Sequence, residues 1–280
     1  MIKVSDILQE ARQELQKSSI ISYGIDSLVL LQEICNLTKE QIIFNNNLQI
    51  TQDLANKYMA AIDLRKKSMP VAKIIGGKDF FDSRFIVNEH VLDPRPDSEA
   101  IIEEVLNSFA DKLQKINFLE IGVGSGCIVL SLLKIYKNFQ AIAVDISKNA
   151  LEVCRKNADI MDLSNRIKLI KGDLFADIKE RFDLIISNPP YIKTADINKL
   201  DRDVSYDPLI ALDGGYDGLD FYRRIADDAM LYLKEFGKII IEIGHDQELT
   251  VKHIFTEKGF NFINKRNDLN GFTRVLHFAK

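Results

Sequence analysis

Cysteine is scarce and scattered. Cys35, Cys127 and Cys154 are odd in number and far apart, with no Cys-x-x-Cys pair, which excludes a zinc ribbon and a disulfide scaffold. A reducing, cytoplasmic compartment is therefore the expectation. A basic surplus is missing too. The formal net charge of -4 argues against a protein built mainly to grip nucleic acid. No apolar run suits a bilayer: the richest stretch, Phe118 to Leu133, contains Glu120 and three glycines. The N-terminus has no uninterrupted apolar segment, so no signal peptide is expected. His90, His245, His253 and His277 are not at metal-ligand spacing, and no metal is expected.

What is present fits an ordinary globular protein. The 280 residues are 46% hydrophobic and 28% charged, enough for a real core and roughly two domains. Residues 1–78 read as a small helical bundle. Val4, Ile7, Leu8, Ala11 and Leu15 recur at helical spacing, Thr38 and Gln41 have capping-box spacing, and Thr51 suits a helix N-cap. Arg65-Lys66-Lys67 reads as a solvated helix end that favours the dipole. Residues 79–97 read as a hairpin and loop linker, and Asp97 or Ser98 as the cap of a helix through Ile101 and Val105.

From residue 98 onward a third segment, 98–280, is expected. Short β-branched runs at Phe118–Ile121, Ala141–Val144, Ile167–Ile170, Leu184–Ser187 and Ile239–Ile243 alternate with helical stretches. That pattern predicts a mostly parallel sheet covered on both faces, an α/β fold. Phe260–Ile263 and Arg274–Phe278 flank Asn270-Gly271 and predict an antiparallel hairpin at the C-terminus. Charge divides unevenly. Residues 1–87 carry eleven Lys+Arg against ten Asp+Glu, so the α/β part is the acidic one.

Candidate site residues lie at the strand ends. Glu120-Ile121-Gly122-Val123-Gly124-Ser125-Gly126 leaves one strand and enters a helix, where glycine permits a tight turn and close ligand approach. A dinucleotide site would want glycine at position 127, which is Cys127. By itself the loop also reads as a plain turn. Acid-x-Gly-x-Gly-x-Gly resembles the first motif of class I S-adenosylmethionine-dependent methyltransferases, whose Rossmann-like sheet matches the expected fold. Asp145 ends the next strand 23 residues after Gly122, placed to accept ribose hydroxyls. The resemblance implies that Asp173 sits near the adenine amino group, with Leu174 against the ring. Glu120 would lie near the ligand's ammonium group.

Asn188-Pro189-Pro190-Tyr191 ends the fourth expected strand. Two prolines hold φ at about -65° and donate no ladder bonds, so the chain leaves the sheet in a stiff turn. In families with this motif the methyl acceptor is a conjugated amino group, a poor nucleophile. The Asn188 side-chain oxygen and the Pro189 carbonyl can each take one N–H and orient it, while Tyr191 packs on the planar group. Positioning and electrostatics then supply most of the acceleration.

Two further segments narrow the resemblance. Pro94-Arg95-Pro96-Asp97-Ser98-Glu99 resembles the Pro-Arg-Pro-Glu-Thr-Glu segment of the HemK/PrmC family, and Asp207 to Tyr222 resembles that family's stretch after the catalytic turn. The chain is identified as a member of that family of protein-(glutamine-N5) methyltransferases. Membership implies S-adenosylmethionine as cofactor and S-adenosylhomocysteine as product. Its substrate would be the glutamine of the Gly-Gly-Gln motif in bacterial-type class I peptide chain release factors. The cofactor-binding set would be Glu120, Gly122, Val123, Gly124, Ser125, Gly126, Asp145, Asp173, Leu174 and Asn188. The catalytic set would be Asn188, Pro189 and Tyr191, with Pro190 completing the substrate contact. A monomer without direct nucleic-acid or membrane contact is expected. Arg95 stays open between a functional role and a structural tie. Rival readings are an adenine-N6 methyltransferase, a non-catalytic adaptor and a ribosomal-protein glutamine methyltransferase.

Overall fold

The computed structural model describes residues 1–268 and 270–280. It divides into two compact units, 1–77 with 201–206, and 78–200 with 207–280.

The first unit is a helical bundle. It comprises β1 (Ile2–Lys3), α1 (Val4–Lys17), α2 (Tyr23–Cys35), α3 (Lys39–Phe44), β2 (Gln49–Ile50), α4 (Gln52–Lys66) and α5 (Val71–Ile75). The apolar stripe of α1 predicted from spacing is buried, with Leu15 and Ala11 fully so, against Leu30, Leu31, Tyr58 and Ile62. Thr38 and Gln41 form the capping box, and Thr51 caps α4 by accepting from Leu54 N at 3.3 Å. Arg65 corrects the expectation of a solvated basic end. Its Nε donates to Asp26 at 2.7 Å and its Nη2 pairs with Asp203 at 3.0 Å, and the side chain is buried. The aliphatic stem packs while the head finds carboxylates, an outcome open to any long cation.

The second unit begins with the two-stranded β3 (Gly77–Phe80) and β4 (Ser83–Ile86), then α6 (Glu99–Ser108). There follow β5 (Asn117–Ile121), α7 (Cys127–Ile135), β6 (Gln140–Asp145), α8 (Lys148–Ile160), β7 (Ile167–Lys171), β8 (Phe182–Ser187), α9 (Asp220–Tyr232), β9 (Leu233–Glu242), α10 (Glu248–Glu257), β10 (Asn261–Asn267) and β11 (Thr273–Ala279). The seven-stranded sheet runs β10-β11-β9-β8-β5-β6-β7. The five strands β5 to β9 pair parallel, and β11 lies antiparallel to both β9 and β10.

Alternation along β5 explains the two covered faces. Phe118 points into a core with α6, α7 and α8, whereas Leu119 and Ile121 point into another with α9 and α10. Helix α10 was not foreseen in the sequence. Among the described residues no helix is long and apolar enough to cross a membrane, and no group of His, Cys, Asp and Glu could hold a metal ion.

Candidate active site

The chain builds β5, β6 and β7 outward in one direction, then returns to place β8 on the other side of β5. Ligands of open α/β sheets bind at such a reversal, outside the carboxyl ends of the strands. Ile121 pairs with Ser187, and the Ser187 hydroxyl donates to the Ile121 carbonyl at 2.9 Å. The glycine loop and the proline turn therefore leave the sheet side by side. A Cβ on Gly122 would stand 4.0 Å from the Asn188 carbonyl oxygen. A cleft of about 220 Å³ opens there.

Its wall brings together Glu120, Gly122, Val123, Gly124, Ser125, Asp145, Asp173, Leu174, Asn188, Pro189 and Pro190. Gly126 lies outside this wall. Its φ is +82° and a Cβ there would meet the Cys154 sulfur at 2.6 Å, so no other residue fits between loop and α8. Asn157, unforeseen in the sequence, donates to the Ser125 and Ile86 carbonyls at 2.9 and 3.1 Å and accepts from Ile86 N at 2.7 Å. It pins the loop to β4.

Three acids differ in surroundings. Glu120 is buried, and burial drives its pKa well above the carboxylate range, with Asp145 adding to the rise. Its Oε2 meets no hydrogen-bond partner among the described residues. A cation placed against it would restore its ionisation. Asp145 is also raised by burial, but Gly124 N donates to its Oδ2 at 2.9 Å and Ser147 N to its Oδ1 at 2.8 Å. Each oxygen keeps a second lone pair, enough for two ligand hydroxyls. Asp173 sits on the rim, paired with Arg224 at 2.7 Å, whose guanidinium lies over Phe221. Leu174 adopts φ of 54°, unusual for a branched residue and common at ligand sites.

The proline turn is held from several sides. Gly214 packs so closely that a Cβ would stand 2.7 Å from Tyr191 Cα and 2.8 Å from the Pro190 oxygen. Gln247 donates from Nε2 to the Tyr191 and Gly218 carbonyls, both at 3.1 Å, while its Oε1 accepts from Gly244 N and the Tyr222 hydroxyl. Asn188 donates from Nδ2 to Ser98 Oγ at 3.0 Å. Tyr191, next to the prolines, is partly buried and packs against the core that includes Tyr222. Once the prolines exit the sheet, the following residue turns back toward α9. Burial accordingly raises its hydroxyl pKa.

Ser98 is not the predicted side-chain cap. Its hydroxyl makes no cap bond to α6 and instead meets Asn188. Glu242, at the end of β9, completes this cluster. It is buried, and its Oε2 meets no hydrogen-bond partner among the described residues. Burial, helped by the Asp97 charge, pushes its pKa up to about 7 against the pull of the Ser98 and Asn188 dipoles and of Arg274. Sequence reasoning passed over Glu242 inside the apolar run Ile239–Ile243, although an acid there is itself a signal. Arg95 lines the same cleft and reaches Asp207 at 2.6 Å, and the same carboxylate accepts from Asp93 N at 3.3 Å.

Strand order, reversal and cleft define a class I S-adenosylmethionine-dependent methyltransferase. Residues 98–202 match the methyltransferase small domain and residues 6–76 the PrmC N-terminal domain. The chain is 36% identical to the release factor glutamine methyltransferase of Agrobacterium fabrum, over 99% of this chain and 97% of that protein. It is 37% identical to that of Clostridium botulinum, over 99% of both. The structure of a ribosomal protein L11 methylase from Lactobacillus delbrueckii subsp. bulgaricus shares the fold, with a TM-score of 0.53, 17% identity, and coverage of 72% of this chain and 89% of that one. The chain belongs to the release factor glutamine methyltransferase family. S-adenosylmethionine is its methyl donor, and the donor set fits that cation: a buried unpartnered carboxylate oxygen on Glu120 and spare lone pairs on Asp145.

Proposed function

We propose that this enzyme methylates the side-chain amide nitrogen of the glutamine in the Gly-Gly-Gln motif of a bacterial-type class I release factor, tuning translation termination. The supporting observation is Asn188, whose Nδ2 is committed to Ser98 at 3.0 Å while the residue lines the cleft beside the glycine loop. Its Oδ1 is the edge left for a substrate N–H.

S-adenosylmethionine, when bound, supplies a sulfonium methyl that departs leaving its electron pair on sulfur. Glu120 would hold its ammonium group, Asp145 its ribose hydroxyls, and Leu174 and Asp173 its adenine. Asn188 Oδ1 and the Pro189 carbonyl each accept one N–H of the planar amide. That grip turns the nitrogen toward the methyl group and raises its electron density as positive charge develops. The nitrogen sheds its proton as the N–C bond forms, so no strong base is needed. Pro189 and Pro190 keep the acceptors from drifting, because their φ angles are fixed. The bundle, residues 1–78, helps dock the release factor, the linker 79–97 carries the loop, and 98–280 performs transfer. The enzyme works as a monomer in the cytoplasm.

The test is to incubate the protein with methyl-labelled donor and, separately, release factor, ribosomal protein or DNA, and to locate label by mass. Label on the release-factor glutamine supports the assignment. Label on adenine alone would sink it, and tight binding without label would make the protein an adaptor.

A further inference from the structure

Proline fixes φ and donates no hydrogen bond. Pro190 also steers Pro189 toward an extended ψ. Nothing local sets ψ of Pro190 or the conformation of Tyr191, so the two ends of the turn must be held by other elements. The sheet holds the entry, where Ser187 pairs with Ile121 on one side and Ile241 on the other. The exit lies outside the sheet. Ile192 N donates to the Leu212 carbonyl at 3.0 Å and Gly214 N to the Ile192 carbonyl at 2.8 Å, but these bonds begin one residue beyond the turn. The Tyr191 carbonyl, the last backbone acceptor of the turn itself, is taken by Gln247 Nε2 at 3.1 Å.

Gln247 is itself well fixed. Its backbone carbonyl accepts from Val251 N at 2.9 Å at the start of α10. Its Nε2 gives a second bond to the Gly218 carbonyl at 3.1 Å, and its Oε1 accepts from Gly244 N at 2.9 Å and the Tyr222 hydroxyl at 3.2 Å. A carboxamide has two donors and two acceptor lone pairs, so all are used. The backbone makes room for this side chain. A Cβ on Gly244 would stand 2.8 Å from its Oε1, and one on Gly218 would stand 3.0 Å from its Nε2 and overlap the Tyr191 oxygen.

We propose that Gln247 is the positioning residue that fixes the exit of the proline turn, and that its donor end, rather than its acceptor end, governs the rate of methyl transfer. This rests on the amide-holding reading of Asn188 and the Pro189 carbonyl. With the Tyr191 carbonyl held, the Pro189–Pro190 peptide keeps the direction that the amide grip needs. Once it is released, Pro190 and Tyr191 rotate and carry that acceptor out of line. The glycine loop is fixed separately, by Asn157 at Ser125 and Ile86, so donor binding does not follow the turn.

Two opposite cuts through the same network test this in the full-length enzyme with release factor and S-adenosylmethionine. Gln247→Glu keeps the length and the acceptor oxygen but sets a second oxygen against two carbonyls where two N–H groups stood. Single-turnover transfer should slow roughly tenfold to a hundredfold, as displacement of a reacting group does, while KM for release factor and affinity for the donor hold. Tyr222→Phe removes one bond from the acceptor end and leaves Nε2 in place. It should lower Tm by a few degrees and keep the parent's transfer rate. Parent-rate transfer in Gln247→Glu overturns the proposal. Equal slowing of the two variants, in step with their Tm, overturns it as well, since Gln247 would then be an ordinary core residue. If Gln247→Glu does not fold, Gln247→Met, neutral and of similar length, replaces it with the same slowing expected. Failure of the amide-holding reading looks different, because Asn188→Ala would then transfer at the parent rate. Failure of this proposal alone leaves Asn188→Ala slow beside a fast Gln247→Glu.

Discussion

Nδ2 of Asn188 stands 3.0 Å from Oγ of Ser98, two residues ninety positions apart in the chain. That contact spends the donor end of the proposed catalytic amide on the protein, so that in the proposed function the acceptor end serves the substrate. It also makes the loop before α6, with no part in the sheet, a wall of the site. Four consequences follow for different parts of the molecule.

Asp145 anchors the glycine loop through Gly124 N at 2.9 Å, and in the proposed site it also holds the donor's ribose. Asp145→Ala removes ribose acceptors and leaves that N–H unpaired, a cost of about 1–3 kcal/mol. Calorimetric affinity for S-adenosylmethionine should fall by roughly tenfold to a hundredfold, with kcat at saturating donor largely kept. An unaltered affinity would remove Asp145 from the donor site.

Gly214 tests the stiffness of the proline turn. A Cβ there would stand 2.7 Å from Tyr191 Cα, and backbone cannot rotate out of the way. Gly214→Ala should displace the turn and lower kcat by roughly tenfold or more, with donor affinity little changed. Steady-state kinetics with full activity would show that the turn tolerates displacement.

Glu242 should cost stability at neutral and alkaline pH. Its pKa is raised from an ordinary 4.5 to about 7 in the folded protein. Between these values the unfolded chain loses the proton and the folded one keeps it, until the folded pKa is passed. Rising pH therefore weakens folding across that window, by roughly 3 kcal/mol at most above it. Glu242→Gln removes this penalty. Urea unfolding should show a larger stability gain at pH 8 than at pH 4.5. An equal gain at both would contradict the raised pKa.

Arg65 should hold the bundle together. It is buried between Asp26 at 2.7 Å and Asp203 at 3.0 Å. Arg65→Ala strands the buried Asp26 carboxylate and should destabilise the unit by about 3 kcal/mol. A Tm within one or two degrees of the parent would show that the pair adds little.

Much of this was legible before the structure. The glycine loop, Asp145 and Asp173 could be read because each sits at the end of a short apolar run, and strand ends share one sheet edge. Asn188 could be read because two prolines after a strand admit few conformations. The capping box at Thr38 was legible because all its partners lie within one turn. Ser98, Glu242 and Gln247 were not, since their partners come from remote elements. Ser98 looked like a helix cap because local chemistry allows that use, and Asn188 outcompeted it. Arg65 looked solvated because the carboxylates that bury it lie in distant segments. Helix α10, in Glu248–Glu257, has few apolar positions, and only Val251 and Phe255 are buried.

Single-turnover transfer from labelled S-adenosylmethionine to intact release factor tests the clamp most directly. Asn188→Ala should lose little donor affinity and transfer roughly a hundredfold to a thousandfold more slowly, the loss typical of one oriented polar group at a reacting centre. Transfer at the parent rate, or loss confined to donor binding, would contradict the account.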